Sequence, residues 1–104
     1  MEIKKPLTNE AWAPVHGKAL EIADADSRED EMMAGVYVEQ MMEVLDGLED
    51  EYGRHATLVS TRADFLRDEE ERRALYEVAL ILAKEQGDHE EVAQILGTLR
   101  QMDE

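Results

Sequence analysis

The stretch from Ala74 to Leu96, ALYEVALILAKEQGDHEEVAQIL, constrains the fold of this chain more than any other. Apolar residues recur every three or four positions on both sides of Gly87-Asp88, which is the period of an amphipathic helix. A glycine just past a helix end adopts the left-handed backbone conformation at little cost. An aspartate just before the next helix accepts hydrogen bonds from its free amides. The segment therefore reads as helix, tight turn, helix. Its centre, VALILA, is apolar nearly all round, so neighbours must cover the first of these helices on more than one side. Hardly any side chain in it is chemically reactive.

The rest of the chain repeats this grammar. Strand signals are nearly absent: there is no long β-branched alternation, and Asp46-Gly47 falls inside a helical pattern. Around NEAWAPVHGKALEIADA, Trp12, Val15, Ala19 and Ile22 share one face, and Pro14 suits a first turn. A helix is expected there from about Pro14 to Asp24. A second is expected from a cap at Ser27 to Gly53, with Glu29, Asp30 and Glu31 at its positive end and Val38, Met41, Leu45, Leu48 and Tyr52 facing inward. Gly35 and Gly47 inside it each cost about 1 kcal/mol relative to alanine, and mark either close helix contacts or weak spots. A short third helix fits HATLVSTRADFL, with Val59, Ala63 and Leu66 on one side. The fourth runs from a cap at Asp68 to Gln86. The fifth follows Asp88, with Val92, Ile95, Leu96, Leu99 and Met102 inward. The expected fold is all-α, with four or five helices in antiparallel hairpins, as a repeat-like array or a bundle.

The 104 residues suit one helical domain, residues 1–104, with N-terminal helices over 1–53 and a hairpin region over 54–104. Acidic side chains number 26 against 11 basic, for a net charge of −15. Such a chain is repelled by nucleic acid and by anionic membranes, so direct nucleic-acid or membrane binding is not expected, and a basic partner, or simple solubility, is the natural reading of the charge. The charge is uneven: residues 1–53 carry a net −10, residues 54–73 are neutral, and residues 74–104 carry −5. Arg54, Arg62, Arg67, Arg72 and Arg73 form the one arginine-rich stretch. Cysteine is absent, which excludes thiol chemistry. MEIKKPLTNE lacks the apolar run of a signal peptide, and no stretch reaches the ~18 apolar residues of a membrane span. A cytoplasmic protein is the expectation.

From His55 to Met102 the chain resembles part of a tetratricopeptide array, in which antiparallel helix pairs stack in register. Ser60 stands at the small position of a first helix, Tyr76 and Ala79 at the aromatic–alanine pair of a second, and Gly87-Asp88 at the junction to the next repeat. Gly97 would be that repeat's small residue. Small residues there let one helix lie in its neighbour's groove. The resemblance implies a helix-hairpin scaffold of a kind used for protein–protein contact. Members of that family that clamp a partner's C-terminal carboxylate use lysines and asparagines on their first helices. The third helix has neither, so that activity is not implied.

Reactive constellations do not emerge. Asp24-Ala-Asp26-Ser-Arg28 begins like a calcium loop, but Glu29 stands where the loop needs glycine and Gly35 where it needs glutamate. His16, His55 and His89 lack the spacing of a zinc or di-iron site. Ser27 reads as a cap and Ser60 as a packing residue, and neither sits in a glycine-rich elbow. With so many carboxylates, any pair is expected to be solvated rather than poised for acid–base work. The glycines are scattered singly, so no phosphate-cradling loop is present. Neither enzymatic activity nor a metal or cofactor is expected.

The second helix is unusually rich in soft apolar side chains: Met32, Met33, Val36, Tyr37, Val38, Met41 and Met42. Such a helix serves either as a core face or as an adaptable docking or dimer surface, because methionines repack readily against varied partners. Met33, Tyr37, Met41 and Met42 are therefore candidate partner-binding residues, together with Arg62 and Arg72, which could line a recess for an acidic peptide. The reading that results is a small acidic protein-interaction module without catalytic activity, docking or dimerising through apolar helix surfaces. The alternative is an acidic inhibitor, an immunity protein or nucleic-acid mimic, whose negative face over residues 1–53 blocks a basic cleft.

Overall fold

A computed structural model describes residues 3–103, and those residues form an all-α fold of five helices: α1 (Asn9–Ser27), α2 (Glu31–Tyr52), α3 (Ala56–Asp64), α4 (Glu69–Gln86) and α5 (His89–Met102). The only strand-like pairing among them is an isolated bridge between Ile3 and Gly53. The chain divides into two compact units, one spanning Ile3–Gly53 and the other running from Arg54 onward.

In the first unit, α1 and α2 pack against each other as a hairpin. Helix α1 starts five residues earlier than Pro14, because Thr8 Oγ1 accepts from the Ala11 amide at 3.1 Å and the Thr8 carbonyl from Trp12 at 3.2 Å. Pro14 thus lies inside the helix, where it has no amide to give the preceding turn and its ring crowds the carbonyl four residues earlier. The second boundary also differs from expectation. Ser27 is the last residue of α1, and the cap of α2 is Asp30, whose carboxylate accepts from the Met33 amide at 3.1 Å.

Between the two helices, the Asp30 amide reaches the Ala25 carbonyl at 2.9 Å and the Glu29 amide the Asp26 carbonyl at 3.0 Å. These two bonds form a Schellman closure. Its left-handed position falls on Glu29, at φ 58°, rather than on glycine. The acidic run read as first-turn charge is therefore mostly turn.

The last turn of α2 contains no basic residue, yet its negative end is compensated. Lys4 and Lys5 lie across it. Their amides donate to the Tyr52 carbonyl at 2.9 and 3.2 Å, Lys4 Nζ donates to the Asp50 carbonyl at 2.7 Å, and Lys5 Nζ pairs with Glu51 at 2.9 Å.

The second unit holds α3, α4 and α5. Its core gathers Ala56, Val59, Ala63, Tyr76, Ala79, Ala83 and Ile95, with Leu75, Leu80, Leu82, Val92, Leu99 and Met102 packed around them. Asp68 caps α4 through the amides of Glu70 and Glu71, and Asp88 caps α5 through that of Glu91. Gly87 sits at φ 69° and closes α4 with the same Schellman geometry: the Asp88 amide meets the Ala83 carbonyl at 2.9 Å.

Helix α3 departs from the rule of local capping, since His55 makes no side-chain cap bond. The Gln86 amide does so from the far end of α4. Its Oε1 accepts from the Ala56 amide at 3.0 Å, and its Nε2 donates to the Arg54 carbonyl at 2.9 Å. No helix of the described residues is long and apolar enough to cross a membrane.

Candidate interaction surfaces

The candidate residues on α2 divide according to the face they occupy. Ala34, Met41 and Leu45 are buried, and together with half-buried Val38 they set the inward face of the helix. Met41 is 0% exposed, so it is a core residue and offers no docking surface; this corrects its assignment as a partner contact. Met33, Tyr37 and Met42 are half-buried. Tyr37 is engaged within the hairpin: Lys18 Nζ lies 5.4 Å from its ring centre and also contacts Gln40 at 2.7 Å and Glu21 at 2.9 Å. The side chains that α2 presents outward are instead Met32, 79% exposed, and Val36, 39% exposed. They follow the same period of three to four residues as Glu39, Glu43, Asp46 and Asp50, which are all exposed.

Arg62 and Arg72 are both half-buried, on α3 and α4. Arg72 is tied into a polar cluster that composition did not reveal. The Tyr76 hydroxyl donates to the Asp64 carboxylate, and the Arg72 guanidinium lies 5.9 Å from the Tyr76 ring centre. Partial burial raises the Asp64 pKa from its ordinary value, opposed by the Tyr76 hydroxyl and by the charge of Arg72. Burial also raises the Tyr76 pKa, and the hydrogen bond it donates to Asp64 adds to that. The Nε atoms of Arg54 and Arg72 are buried without a hydrogen-bond partner. The sequence signal for this cluster was the aromatic at position 76 with an acid twelve residues earlier, which helical spacing alone does not bring together.

Because the folded-state pKa of Asp64 is raised, its protonated form is the one that folding favours. Stability from this group is fully present below the unfolded carboxyl pKa and is lost as pH rises through the folded value. A carbon-detected NMR titration of Asp64 should give a midpoint above the value of an unperturbed aspartate. Tyr76→Phe should move it higher still, because the hydroxyl that favours the carboxylate is gone. A midpoint at or below the ordinary value in the native chain would contradict this arrangement.

Ser60 is more than a packing residue. Its Oγ donates to Glu91 Oε1 at 2.5 Å, and Glu91 is itself buried, joining α3 to α5. Glu91 is thus an exception to the expectation that the carboxylates are solvated. Asp24, the first acid of the calcium-like run, is ion-paired with Arg28. Among the described residues no group of three or more His, Asp or Glu side chains is arranged to hold a metal ion.

In the second unit, large apolar side chains reach the surface at Val78 and Ile81 of α4 and at Leu96 of α5; in the first, Leu20 of α1 joins Met32 and Val36. Gly97, expected at a close helix approach, has open space where a side chain would stand, and the same holds for Gly35 and Gly47. No family model matches the chain, and no curated protein or solved structure matches it.

Proposed function

We propose that this chain is a non-enzymatic protein-interaction module that docks a partner through apolar helix surfaces. The observation that carries the reading is the exposure of large apolar side chains on helices whose inward faces are already filled. Met32, Val36, Val78 and Ile81 all lie outside the buried cores on a chain of net charge −15. Scattered single apolar residues need no explanation, but pairs at helical spacing are what an amphipathic partner requires.

A tetratricopeptide-like scaffold for residues 55–102 is part of the proposal. In its support, Tyr76 and Ala79 are buried together, Ser60 is buried, and α5 packs on α4 while touching α3. The open space at Gly97 counts against a close-approach role for that residue. A cytoplasmic setting accords with a chain that contains no cysteine.

The test is site-specific photocrosslinking in the native host. A photoreactive amino acid at position 32, 36 or 81 should yield a discrete adduct that the same group at exposed Glu10 does not. Equal labelling at all four positions, or none, would overturn the interaction reading. Light scattering and crosslinking of the pure chain separate self-association from binding to another protein.

One observation favours an acidic inhibitor as the second reading. Glu39, Glu43, Asp46 and Asp50 form one exposed row along α2. A row of carboxylates at that spacing would suit a basic cleft, and partner binding would then fall steeply with salt.

A further inference from the structure

The outer side of α4 carries a stripe with a defined composition. Glu71, Ala74, Val78, Ile81 and Glu85 follow one another at spacings of three and four residues, and all five are exposed. Helical geometry puts them in one narrow sector of the helix. Ile81 is 58% exposed and Val78 37%, and the half-buried Leu82 borders them on the inward side. Glu70, Glu77 and, one heptad on, Lys84, all exposed, border the other side. The stripe is therefore two turns of apolar surface with a carboxylate at each end and a margin of two carboxylates and one lysine, net acidic with Glu71 and Glu85 counted.

We infer that this stripe is a docking site for a cationic amphipathic helix of another protein. The inference rests on the interaction-module reading and names the surface and the partner chemistry. Two knobs at a spacing of three on one helix face fit the grooves of a second helix better than an extended strand. Glu71 and Glu85 are fourteen residues apart, about 21 Å along the axis. A partner helix with lysine or arginine at positions about fourteen residues apart, and leucine-like residues between, satisfies both ends and the centre at once.

Charge also decides against a second copy of this chain. Antiparallel pairing of two such stripes would place Glu71 beside Glu85 of the other copy at both ends, between molecules that each carry −15. The same carboxylates that repel a copy attract a basic helix and raise its association rate.

The probe is a synthetic 18-residue helical peptide with lysines fourteen residues apart around a leucine face. A second peptide of identical composition, with the apolar face scrambled, serves as the control. Binding to the full chain is read by fluorescence anisotropy, and the site by amide shift changes. The patterned peptide should bind at least tenfold tighter than the scrambled one and perturb Ala74–Glu85 most.

Ile81→Glu, at an exposed position, should weaken it about tenfold or more with the helical circular dichroism unchanged. Glu71→Gln with Glu85→Gln should weaken it less but flatten its salt dependence. Equal binding of the two peptides would overturn the inference, as would shifts centred on Met32 and Val36. The latter result would leave the interaction reading intact, whereas absent crosslinks at positions 32, 36 and 81 alike would remove both. Concentration-dependent dimerisation abolished by Ile81→Glu would assign the stripe to a second copy and overturn the cationic partner.

Discussion

Replacing Tyr76 by alanine is expected to unfold the second unit or bring it close to unfolding. Tyr76 is 3% exposed and is the largest side chain in a core otherwise built around four alanines, Val59 and Ile95. Alanines let α3 and α4 approach closely, but they cannot extend to refill the space that an aromatic ring vacates. The loss is about 3–5 kcal/mol, the range for removing a large buried aromatic side chain. That is a large fraction of the roughly 5–15 kcal/mol that typically holds a domain together.

Tyr76→Phe separates the ring from the hydroxyl. It keeps the packing and forfeits only the hydrogen bond to Asp64, a change of about 1 kcal/mol. Chemical denaturation with residue-resolved hydrogen exchange measures both. Protection in α3, α4 and α5 should collapse in Tyr76→Ala and persist in Tyr76→Phe. Similar losses in the two variants would mean that the hydroxyl, and not the ring, dominates.

The second large effect is a gain. Gly35, Gly47 and Gly97 lie within helices, and an added Cβ at each would meet nothing within 4 Å. Alanine there removes the entropic cost of glycine without a clash, worth about 0.5–1 kcal/mol at each site. Gly35 and Gly47 stand twelve residues apart on α2, about 18 Å along the axis, and Gly97 belongs to the other unit. The three gains should therefore add to about 1.5–3 kcal/mol, with a rise in melting temperature of roughly 2–8 °C for each site in the unit that carries it.

Gly97→Ala carries a second message. Were position 97 the small residue of a repeat, closely approached by a neighbouring helix, the added methyl would destabilise instead. A loss of stability there would point to close packing that the open space around Gly97 does not support.

Much of this architecture was legible along the chain because it depends on short-range chemistry. Asp68, Gly87 and Asp88 act within a turn of their own position, so the ends of α4 and the start of α5 follow from residue type. The end of α2 at Gly53 follows in the same way. Where local signals compete, the helix boundary goes to the stronger one. Pro14 looked like a first-turn residue, but Thr8 offered a better cap upstream, and one missing amide does not stop a helix. Ser27 looked like a cap, but the Schellman closure at Glu29 carried α1 through it and handed the role to Asp30.

The amphipathic period of α2 placed Val38, Met41 and Leu45 on the inward face, but with apolar residues all along the helix it did not choose between Met32 and Met33. Packing made that choice. Ala34, Val38, Met41 and Leu45 face inward, leaving Met32 and Val36 exposed.

By itself, then, the sequence determined the helices, the caps at Asp68 and Asp88, the ends at Gly53 and Gly87, the all-α class and the strongly acidic character, since each rests on interactions within a few residues or on composition. Tertiary structure alone decided which apolar side chains reach solvent, and it brought Tyr76 to Asp64 and Ser60 to Glu91. It also set Gln86 over the start of α3. Those pairings join residues 12, 31 and 30 positions apart, and only the docking of one helix against another brings groups that distant into hydrogen-bonding range.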